Sequence, residues 1–334
     1  MLFEPFSMKD MELKNRIVMA PMCQYAAKDD GMPQPWHETH YVSRAVGQVG
    51  MIISEATAVE PRGRISERDL GLWGEEFILP YSKIIRLCQS QGCKFGIQIA
   101  HAGRKADIQS EPILAPSPIA FSEQYQVPLE MDYYEITKVV KAFGRAVRRA
   151  AEAGVDFIEM HGAHGYLINQ FLSPLTNKRH DDYGENRSLF LQQVLEEVHR
   201  FLSPSIPLII RISAEDYGDG GNNPDDLCQL LEPIKHLFDA VHVSSGGVVD
   251  GVGYATYPGY QVRFSETLRH LLQIPTIAVG MLEFPALAEE VLRDGRADLI
   301  ALGRELLRNP YWALGAAKDL GVDIPWPTSY GRAK

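Results

Sequence analysis

Two histidines and a tyrosine stand close together near the middle of this 334-residue chain. His161, His164 and Tyr166 lie in the segment MHGAHGYL (160–167), directly after an apolar run. The histidines could bind a metal, donate hydrogen bonds to an oxygen that gains negative charge, or be core side chains that each bond a local carbonyl. Tyr166 adds a phenolic proton within reach for general acid catalysis. The segment by itself leaves these three interpretations open.

A second pair of residues could recognise the polar edge of a heterocycle. Gln98 can both donate and accept hydrogen bonds, and Arg211 carries a permanent charge on a planar group. A flavin presents an amide-like edge that would suit this pair. An equally good alternative is a buried ion pair between Arg211 and a barrel carboxylate such as Glu55 or Glu159.

Three glycine-containing segments indicate a phosphate site. They read SSGG (244–247), AVGM (278–281) and ALGRELL (301–307). Glycines let backbone N–H groups approach a phosphate, and Arg304 would add charge-assisted hydrogen bonds. One such glycine alone would more simply form a tight turn, but three segments with an arginine favour phosphate binding.

Cys23 follows the run VMAPM and has two possible roles. A nucleophilic cysteine needs a nearby base and a lowered pKa. A small, polarizable side chain packed on a cofactor ring is the interpretation we favour.

Eight short apolar runs alternate with longer amphipathic segments, and these elements must position the residues above. Most of the runs are continuously apolar, which is typical of strands buried on both faces. Helices are predicted over 136–154, ending at Gly154, and over 187–202, following Asn186 as N-cap. The predicted strands are 16–20, 51–56, 94–100, 156–161, 207–213, 240–245, 275–280 and 297–303.

This alternation predicts an α/β fold, a TIM (β/α)8 barrel formed by a single domain (1–334) with a C-terminal tail from about residue 320. An open doubly wound sheet would usually carry a GxGxxG turn after its first strand, and RIVMAPMCQY has none. Active sites of such barrels lie at the carboxyl ends of the strands, where the residues above would meet. The absence of an HxH pair after the first strand makes a metal site less favoured.

Composition limits the possible partners. Lys and Arg number 33 and Asp and Glu 43, so the formal net charge is −10, which argues against nucleic acid and anionic membranes as partners. No apolar stretch approaches the ~20 residues that span a bilayer, and we expect no export signal. The four cysteines match no zinc, iron–sulfur or disulfide pattern. We predict a cytoplasmic protein without a metal.

Long motifs in a common order resemble the old yellow enzyme family of FMN-dependent ene-reductases, in its thermophilic-like branch. They include LKNRIVMAPMCQY, GQVGMIISEATAV, IQIAHAGRKA, DFIEMHGAHGYLINQFLSPLTNKR, GRADLIALGRELLRNP and SYGRAK. The resemblance implies that NADPH, in preference to NADH, reduces FMN. It further implies that FMN N5 delivers hydride to activated alkenes, namely α,β-unsaturated carbonyl or nitro compounds, with protonation by a tyrosine.

The resemblance also implies a role for individual residues. His161 and His164 would bind the substrate oxygen, Tyr166 would protonate the alkene carbon, and Tyr25 would line the substrate pocket. Arg332 would reach the neighbouring subunit's active site, which implies a homodimer or homotetramer. The implied FMN-binding residues are Pro21, Met22, Cys23, Ala56, Gln98, Arg211, Ser245, Gly246, Gly280, Gly303 and Arg304.

Three rival functions remain at this stage. A dienoyl-CoA reductase-like enzyme would share the barrel but should carry a cysteine cluster for iron–sulfur, which this sequence lacks. A metal-dependent barrel hydrolase would use His161 and His164 as ligands. A flavin-binding protein without catalysis would need only the cofactor residues.

Overall fold

The computed structural model describes residues 1–109 and 111–334, and its centre is a closed barrel of parallel strands. Each strand pairs with the next along the chain, and the last pairs with the first. The strands are β1 (Ile17–Met19), β2 (Met51–Ala58), β3 (Lys94–Ala100), β4 (Phe157–Gly162), β5 (Leu208–Ser213), β6 (Ala240–Ser244), β7 (Thr276–Ala278) and β8 (Leu299–Leu302). The predicted TIM barrel is confirmed, and all eight strands lie within the predicted segments or extend them by one or two residues.

Helices alternate with these strands. The helices are α1 (Pro35–Val46), α2 (Ile78–Gln89), α3 (Tyr133–Ala153), α4 (Leu167–Leu172), α5 (Asp182–Glu185), α6 (Leu189–His199), α7 (Pro224–Leu231), α8 (Val262–Leu272), α9 (Pro285–Arg293), α10 (Arg304–Arg308) and α11 (Trp312–Asp319). Single-turn or short 3-10 helices cover Pro61–Gly63, Glu75–Phe77, Gly103–Lys105, Glu232–Leu237 and Thr328–Ala333. No helix in the described ranges is both long and apolar enough to cross a membrane.

The ends of the two predicted helices compare differently with the structure. Gly154 ends helix α3, as predicted: it directly follows the last helical residue, Ala153. Its φ of 95° is a left-handed conformation that glycine adopts without strain. The predicted cap of the second helix is wrong. Ser188 is the N-cap of α6, and Asn186 instead accepts a hydrogen bond from the Ser188 N–H at 3.2 Å.

A β-hairpin closes the amino-terminal end of the barrel. Its strands, Phe6–Met8 and Met11–Leu13, pair antiparallel, and their apolar side chains pack with the first inward residues of the barrel strands. Phe157 fills much of this space, and a Cβ at Gly96 would come within 2.3 Å of its ring. Glycine is therefore required at this position of β3, and the lower half of the barrel is a packed apolar core.

Strand alternation makes the upper half of the barrel interior polar. Phe157 points inward, so Glu159 and His161, two and four residues further along β4, also point inward. The strand register sets Gln98 of β3 beside Glu159, and Arg211 of β5 beside His161. Residues from separate strands thus converge at the carboxyl ends, where barrel enzymes carry their active sites.

Candidate active site

A hydrogen-bonded layer lies across the barrel just below the strand ends. Gln98 Nε2 donates to Glu159 Oε1 at 2.7 Å, and His242 Nδ1 lies 2.7 Å from Glu159 Oε2. All three side chains are buried. Both carboxylate oxygens of Glu159 therefore already have partners.

Arg211 sits above this layer with an incompletely satisfied guanidinium group. Its Nε is buried and has no hydrogen-bond partner among the described residues. Burial lowers the pKa of Arg211, and the charge of Glu159 opposes that shift. The oxygens of Glu159 bond Gln98 and His242, and those of Glu55 bond Gln24 N and the Tyr41 hydroxyl. Because neither carboxylate forms an ion pair with Arg211, the geometry favours the ligand-binding interpretation of Arg211.

A cavity of about 320 Å³ opens next to Arg211, at the ends of β6, β7 and β8. Gly280 has a φ of 130°, which side chains on an L residue rarely allow, and a Cβ there would come within 3.2 Å of Gln261 Nε2. The polar and glycine residues that line the cavity are Arg211, Ser244, Tyr260, Gln261, Gly280, Glu283, Gly303, Arg304, Glu305 and Arg308. A concave site with three arginines fits an anionic ligand such as a phosphate-bearing flavin.

Two residues implied to contact the cofactor lie beside this cavity instead of on its wall. Ser245 Oγ donates to Gln261 Oε1 at 2.6 Å and accepts a hydrogen bond from the Tyr217 hydroxyl at 3.1 Å. Gly246 has a φ of 72°, and a Cβ there would come within 3.1 Å of Tyr254. Both positions are thus closely packed by tyrosines of the loops after β5 and β6, namely Tyr217 and Tyr254.

The imidazole of His161 is buried and uncharged at neutral pH. Burial, reinforced by the charge of Arg211, holds its pKa well below the ordinary range. Its Nδ1 accepts a hydrogen bond from the Ala163 N–H at 3.3 Å, so the ring proton resides on Nε2. The rings of His161 and Tyr166 are 4.8 Å apart between centroids. Because only Nδ1 takes part in the hydrogen bond to Ala163, the Nε2–H of this neutral imidazole can donate to an oxygen of a ligand.

His164 is held in a turn of unusual backbone conformation. Its φ of 58° is in the left-handed region, and its N–H donates to Ser213 Oγ at 2.8 Å. A Cβ at Gly247 would come within 2.7 Å of the His164 Cα, so the two segments approach each other closely. His164 Nε2 lies 2.7 Å from Ser244 Oγ, and burial with Arg211 holds the pKa of its ring well below the usual value. Such conformations persist when surrounding contacts enforce them, and they cluster at active sites.

Tyr166 is a protonated phenol in the neighbourhood of Cys23 and Tyr25. Burial raises the pKa of Tyr166, as does the proximity of the Cys23 thiol and the Tyr25 hydroxyl. Tyr25 is 52% exposed, and its pKa is raised to about 12 by burial and Cys23. Burial, with Asp69 and Glu55, also raises the pKa of Cys23 well above the ordinary value. A thiol that keeps its proton disfavours the nucleophile alternative for Cys23.

The remaining predicted residues divide between the barrel and the chain terminus. Pro21 and Met22 follow β1, and Ala56 is buried in β2. The Met22 sulfur is the nearest atom, at 3.7 Å, to a Cβ placed on Gly303, so the end of β1 borders the cavity. Arg332 lies in the exposed 3-10 helix Thr328–Ala333 and is not among the residues that line the cavity.

Sequence reasoning missed Lys105, which lies in the same site. Its Nζ donates to the carbonyl oxygen of His164 at 2.9 Å and to that of Gly247 at 3.1 Å. Its place in the motif IQIAHAGRKA, shortly after β3, was the only signal in the sequence.

The metal interpretation of the histidines gains no support, because residues 1–109 and 111–334 contain no group of three or more His, Cys, Asp or Glu side chains that could hold a metal.

Comparison with known proteins identifies the family. The model of the NADH:flavin oxidoreductase / NADH oxidase family matches residues 1–322. The chain belongs to this family. It is 50% identical over 336 residues to the NADPH dehydrogenase of Geobacillus thermodenitrificans, covering 99% of this chain and 98% of that protein. It is 48% identical over 336 residues to the NADPH dehydrogenase of Bacillus subtilis, with the same two coverages. The resemblance to old yellow enzymes is confirmed, and the protein is a flavin oxidoreductase.

Solved structures agree on the fold. Morphinone reductase superimposes with a TM-score of 0.82 at 26% identity, covering 98% of this chain and 91% of that one. A 2-naphthoyl-CoA reductase gives a TM-score of 0.90 at 22% identity, covering 96% of this chain but 52% of the larger protein. The second likeness concerns the barrel alone.

Proposed function

We propose that this protein is an NADPH-dependent, FMN-containing ene-reductase of activated alkenes. The observation that carries the proposal is the placement of two neutral histidines and a protonated tyrosine at the strand ends, beside an arginine-lined cavity. The family supports FMN as the cofactor, and the names of the bacterial relatives support NADPH as the reductant. Morphinone reductase provides a named precedent for a reductase with this barrel.

The chain offers a separate group of residues for each part of FMN. Gln98 and Arg211 would hold the pyrimidine edge of the ring system, where the unpartnered Nε of Arg211 fits an acceptor. Arg304 would pair with the phosphate. The other residues proposed to contact the cofactor are Pro21, Met22, Cys23, Ala56, Ser245, Gly246, Gly280 and Gly303. Bound FMN would supply the redox chemistry, accepting a hydride from NADPH and donating one to the β-carbon of the alkene.

The protein's own side chains would bind the substrate and manage its charge. His161 Nε2–H and the ring of His164 would donate to the carbonyl or nitro oxygen, which gains negative charge as hydride reaches the β-carbon. Donors fixed in advance stabilise this charge in the transition state more than in the ground state. Tyr166 would then protonate the α-carbon, and Tyr25 would line the entrance. Because both imidazoles are neutral, they hold the oxygen without competing as acids.

The proposed function is tested with the purified, FMN-loaded protein under anaerobic conditions. We expect NADPH to bleach the flavin absorbance, and an enone, a maleimide or a nitroalkene to restore it with formation of the saturated product. Product formation is measured by gas chromatography and flavin absorbance by stopped-flow spectroscopy. A protein that remains colourless after incubation with FMN would exclude the proposal. Flavin reduction without any alkene reduction would instead support a flavin-binding protein that lacks this catalysis.

We also propose a homodimer or homotetramer in which Arg332 contributes to the neighbouring active site. The exposure of the helix Thr328–Ala333 leaves Arg332 available for a second copy of the chain. We expect Arg332→Ala to weaken substrate or nicotinamide binding roughly 10-fold, the effect of one lost charged contact, with an unchanged melting temperature. Lys334→Ala, a loss of charge two residues away, is the matched control. A monomeric form with full activity, observed by sedimentation under assay conditions, would contradict this proposal. The cytoplasmic location stays a prediction.

A further inference from the structure

Lys105 is a cation inside the proposed site that the mechanism above does not use. It ends the 3-10 helix Gly103–Lys105, directly after β3. Its Nζ donates to the carbonyl oxygens of His164 and Gly247 at 2.9 and 3.1 Å and lies 5.0 Å from the centroid of the Tyr166 ring. Lys105 therefore joins the ends of β3, β4 and β6, with its charge against the ring of the proposed proton donor.

Holding two carbonyl oxygens does not require a positive charge. A neutral amide could donate the same hydrogen bonds, and an ammonium group removed from water is unfavourable without a compensating interaction. Arg104, the preceding residue, is buried and also donates to backbone carbonyl oxygens. In the described part of the chain Lys105 forms no ion pair within 4 Å, and its charge lies over two aromatic rings, 4.4 Å from the centroid of Phe121 and 5.0 Å from that of Tyr166. This arrangement indicates that the charge itself has a function.

That function follows from the proton that Tyr166 would give up. When Tyr166 protonates the α-carbon, its O–H bond breaks, a C–H bond forms, and the electron pair remains on the phenol oxygen. Burial raises the pKa of Tyr166, so a phenolate at this position is unfavourable unless a cation is near. The ammonium group of Lys105 lies 5.0 Å from the centroid of the Tyr166 ring, within the range of a cation–π interaction, and its charge would attract a phenolate. Solvent would later return the proton to the oxygen.

We propose that Lys105 is a positioning residue for Tyr166: its ammonium group stabilises the phenolate formed during substrate protonation, and its hydrogen bonds hold the turn that carries His164 and Tyr166. This inference rests on the proposed function, since it assumes that Tyr166 is the proton donor. Lys105 is not among the residues assigned a role in the proposed function above, and it adds a positive charge next to the phenol ring.

The proposal predicts a pH dependence that a purely structural lysine would not produce. Burial and Arg104 lower the pKa of Lys105 to about 8, with Asp250 opposing the shift. The imidazoles of His161 and His164 are neutral throughout this range, because burial lowers the pKa of each. The oxidative half-reaction should therefore slow as the pH rises through about 8, when Lys105 loses its charge but keeps N–H donors.

The kinetic test compares a charged with an uncharged replacement. In FMN-loaded enzyme reduced with NADPH, we expect Lys105→Gln to lower the rate of reoxidation by an enone roughly 10- to 100-fold at pH ~7, from the lost Coulombic stabilisation. Lys105→Arg should restore most of the rate and abolish the decrease near pH 8, because guanidinium does not deprotonate there. The exposed Lys318→Gln changes the net charge equally and is expected to leave both half-reactions unchanged.

A second measurement does not depend on turnover. Replacing Tyr166 with 3,5-difluorotyrosine lowers the pKa of the phenol, so that its ionisation can be followed by the ¹⁹F chemical shift. We expect the pKa of this phenol to be lower with Lys105→Arg than with Lys105→Gln, because only arginine keeps its charge. Equal values in the two variants would overturn the electrostatic role.

The outcomes separate this inference from the proposed function. If Tyr166→Phe leaves alkene reduction unchanged, Tyr166 is not the proton donor and the proposed mechanism is wrong at that step. If Tyr166→Phe slows the reaction but Lys105→Gln matches the unmodified enzyme, only the role of Lys105 is wrong. In the Tyr166→Phe background, Lys105→Gln should add little further loss, since no phenolate forms. Losses that multiply in the double variant would contradict the coupling.

Discussion

Tyr166→Phe is expected to slow the reoxidation of the reduced enzyme by an enone roughly 100- to 10,000-fold, the usual contribution of a positioned general acid. Reduction of the flavin by NADPH should be nearly unaffected, because that step needs no proton from the phenol. The burial that raises the pKa of Tyr166 keeps the phenol protonated at neutral pH, so the donor form is always present.

Stopped-flow measurement of the two half-reactions at saturating substrate checks this prediction. Tyr125→Phe, which removes the hydroxyl of a second, partly exposed tyrosine near Tyr166, is the matched control. Equal losses in both half-reactions of Tyr166→Phe would indicate a disturbed flavin site and count against a proton-donor role. Deuterium incorporation at the α-carbon from solvent would report the same step independently.

His161→Ala should lower the rate of alkene reduction roughly 100- to 1000-fold, the loss seen when one oxyanion donor is removed. The imidazole donates from Nε2 because Nδ1 accepts the Ala163 N–H. His161→Asn, which keeps a donor, should recover part of the rate. Because burial lowers the pKa of His161, the rate of the unmodified enzyme should not change as the pH rises from about 6 to 7, the range where an ordinary histidine loses its charge.

The pH profile distinguishes a neutral donor from a cationic one. If His161 acted as imidazolium, the rate would be highest at low pH and would fall as the pH rose through the pKa. A fall of that kind, abolished by His161→Asn, would contradict the neutral-donor role. His161→Ala should weaken the affinity of the oxidised enzyme for a saturated ketone, which has the oxygen but not the alkene, by a much smaller factor than it lowers the rate of alkene reduction. The reason is that donors of this type act mainly on developing charge.

Contacts from three other strand ends hold the turn after β4 in its strained conformation, and one of them is the hydrogen bond from Lys105 Nζ to the His164 carbonyl oxygen. The left-handed φ of His164 is accompanied by a hydrogen bond from its N–H to Ser213 Oγ at 2.8 Å and by the close approach of Gly247. Each contact comes from a different strand end. The donor ring is therefore fixed by the barrel as a whole and not by the turn's own sequence.

Much of this architecture could be predicted from local patterns. Continuous apolar runs predicted the eight strands because a strand buried on both faces must be apolar throughout its length. Once the strands were assigned, Gln98, His161 and Arg211 were expected at one rim, since the carboxyl ends of parallel strands in a closed barrel lie together. The helix ends were predicted less well: α3 begins at Tyr133 instead of at 136, and α6 ends at His199 instead of at 202. Asn186 and Ser188 could each cap α6, and local sequence did not decide between them.

The sequence by itself determined the barrel, the family and the set of residue types at the catalytic rim, because each of these depends on short-range periodicity or on contiguous motifs. Only the tertiary structure decided which partners those residues have. The carboxylate of Glu159 bonds Gln98 and His242, which leaves Arg211 with an unpartnered Nε. Likewise Lys105 reaches Tyr166 only because three strand ends meet, and no spacing along the chain encodes a contact between residues on separate strands.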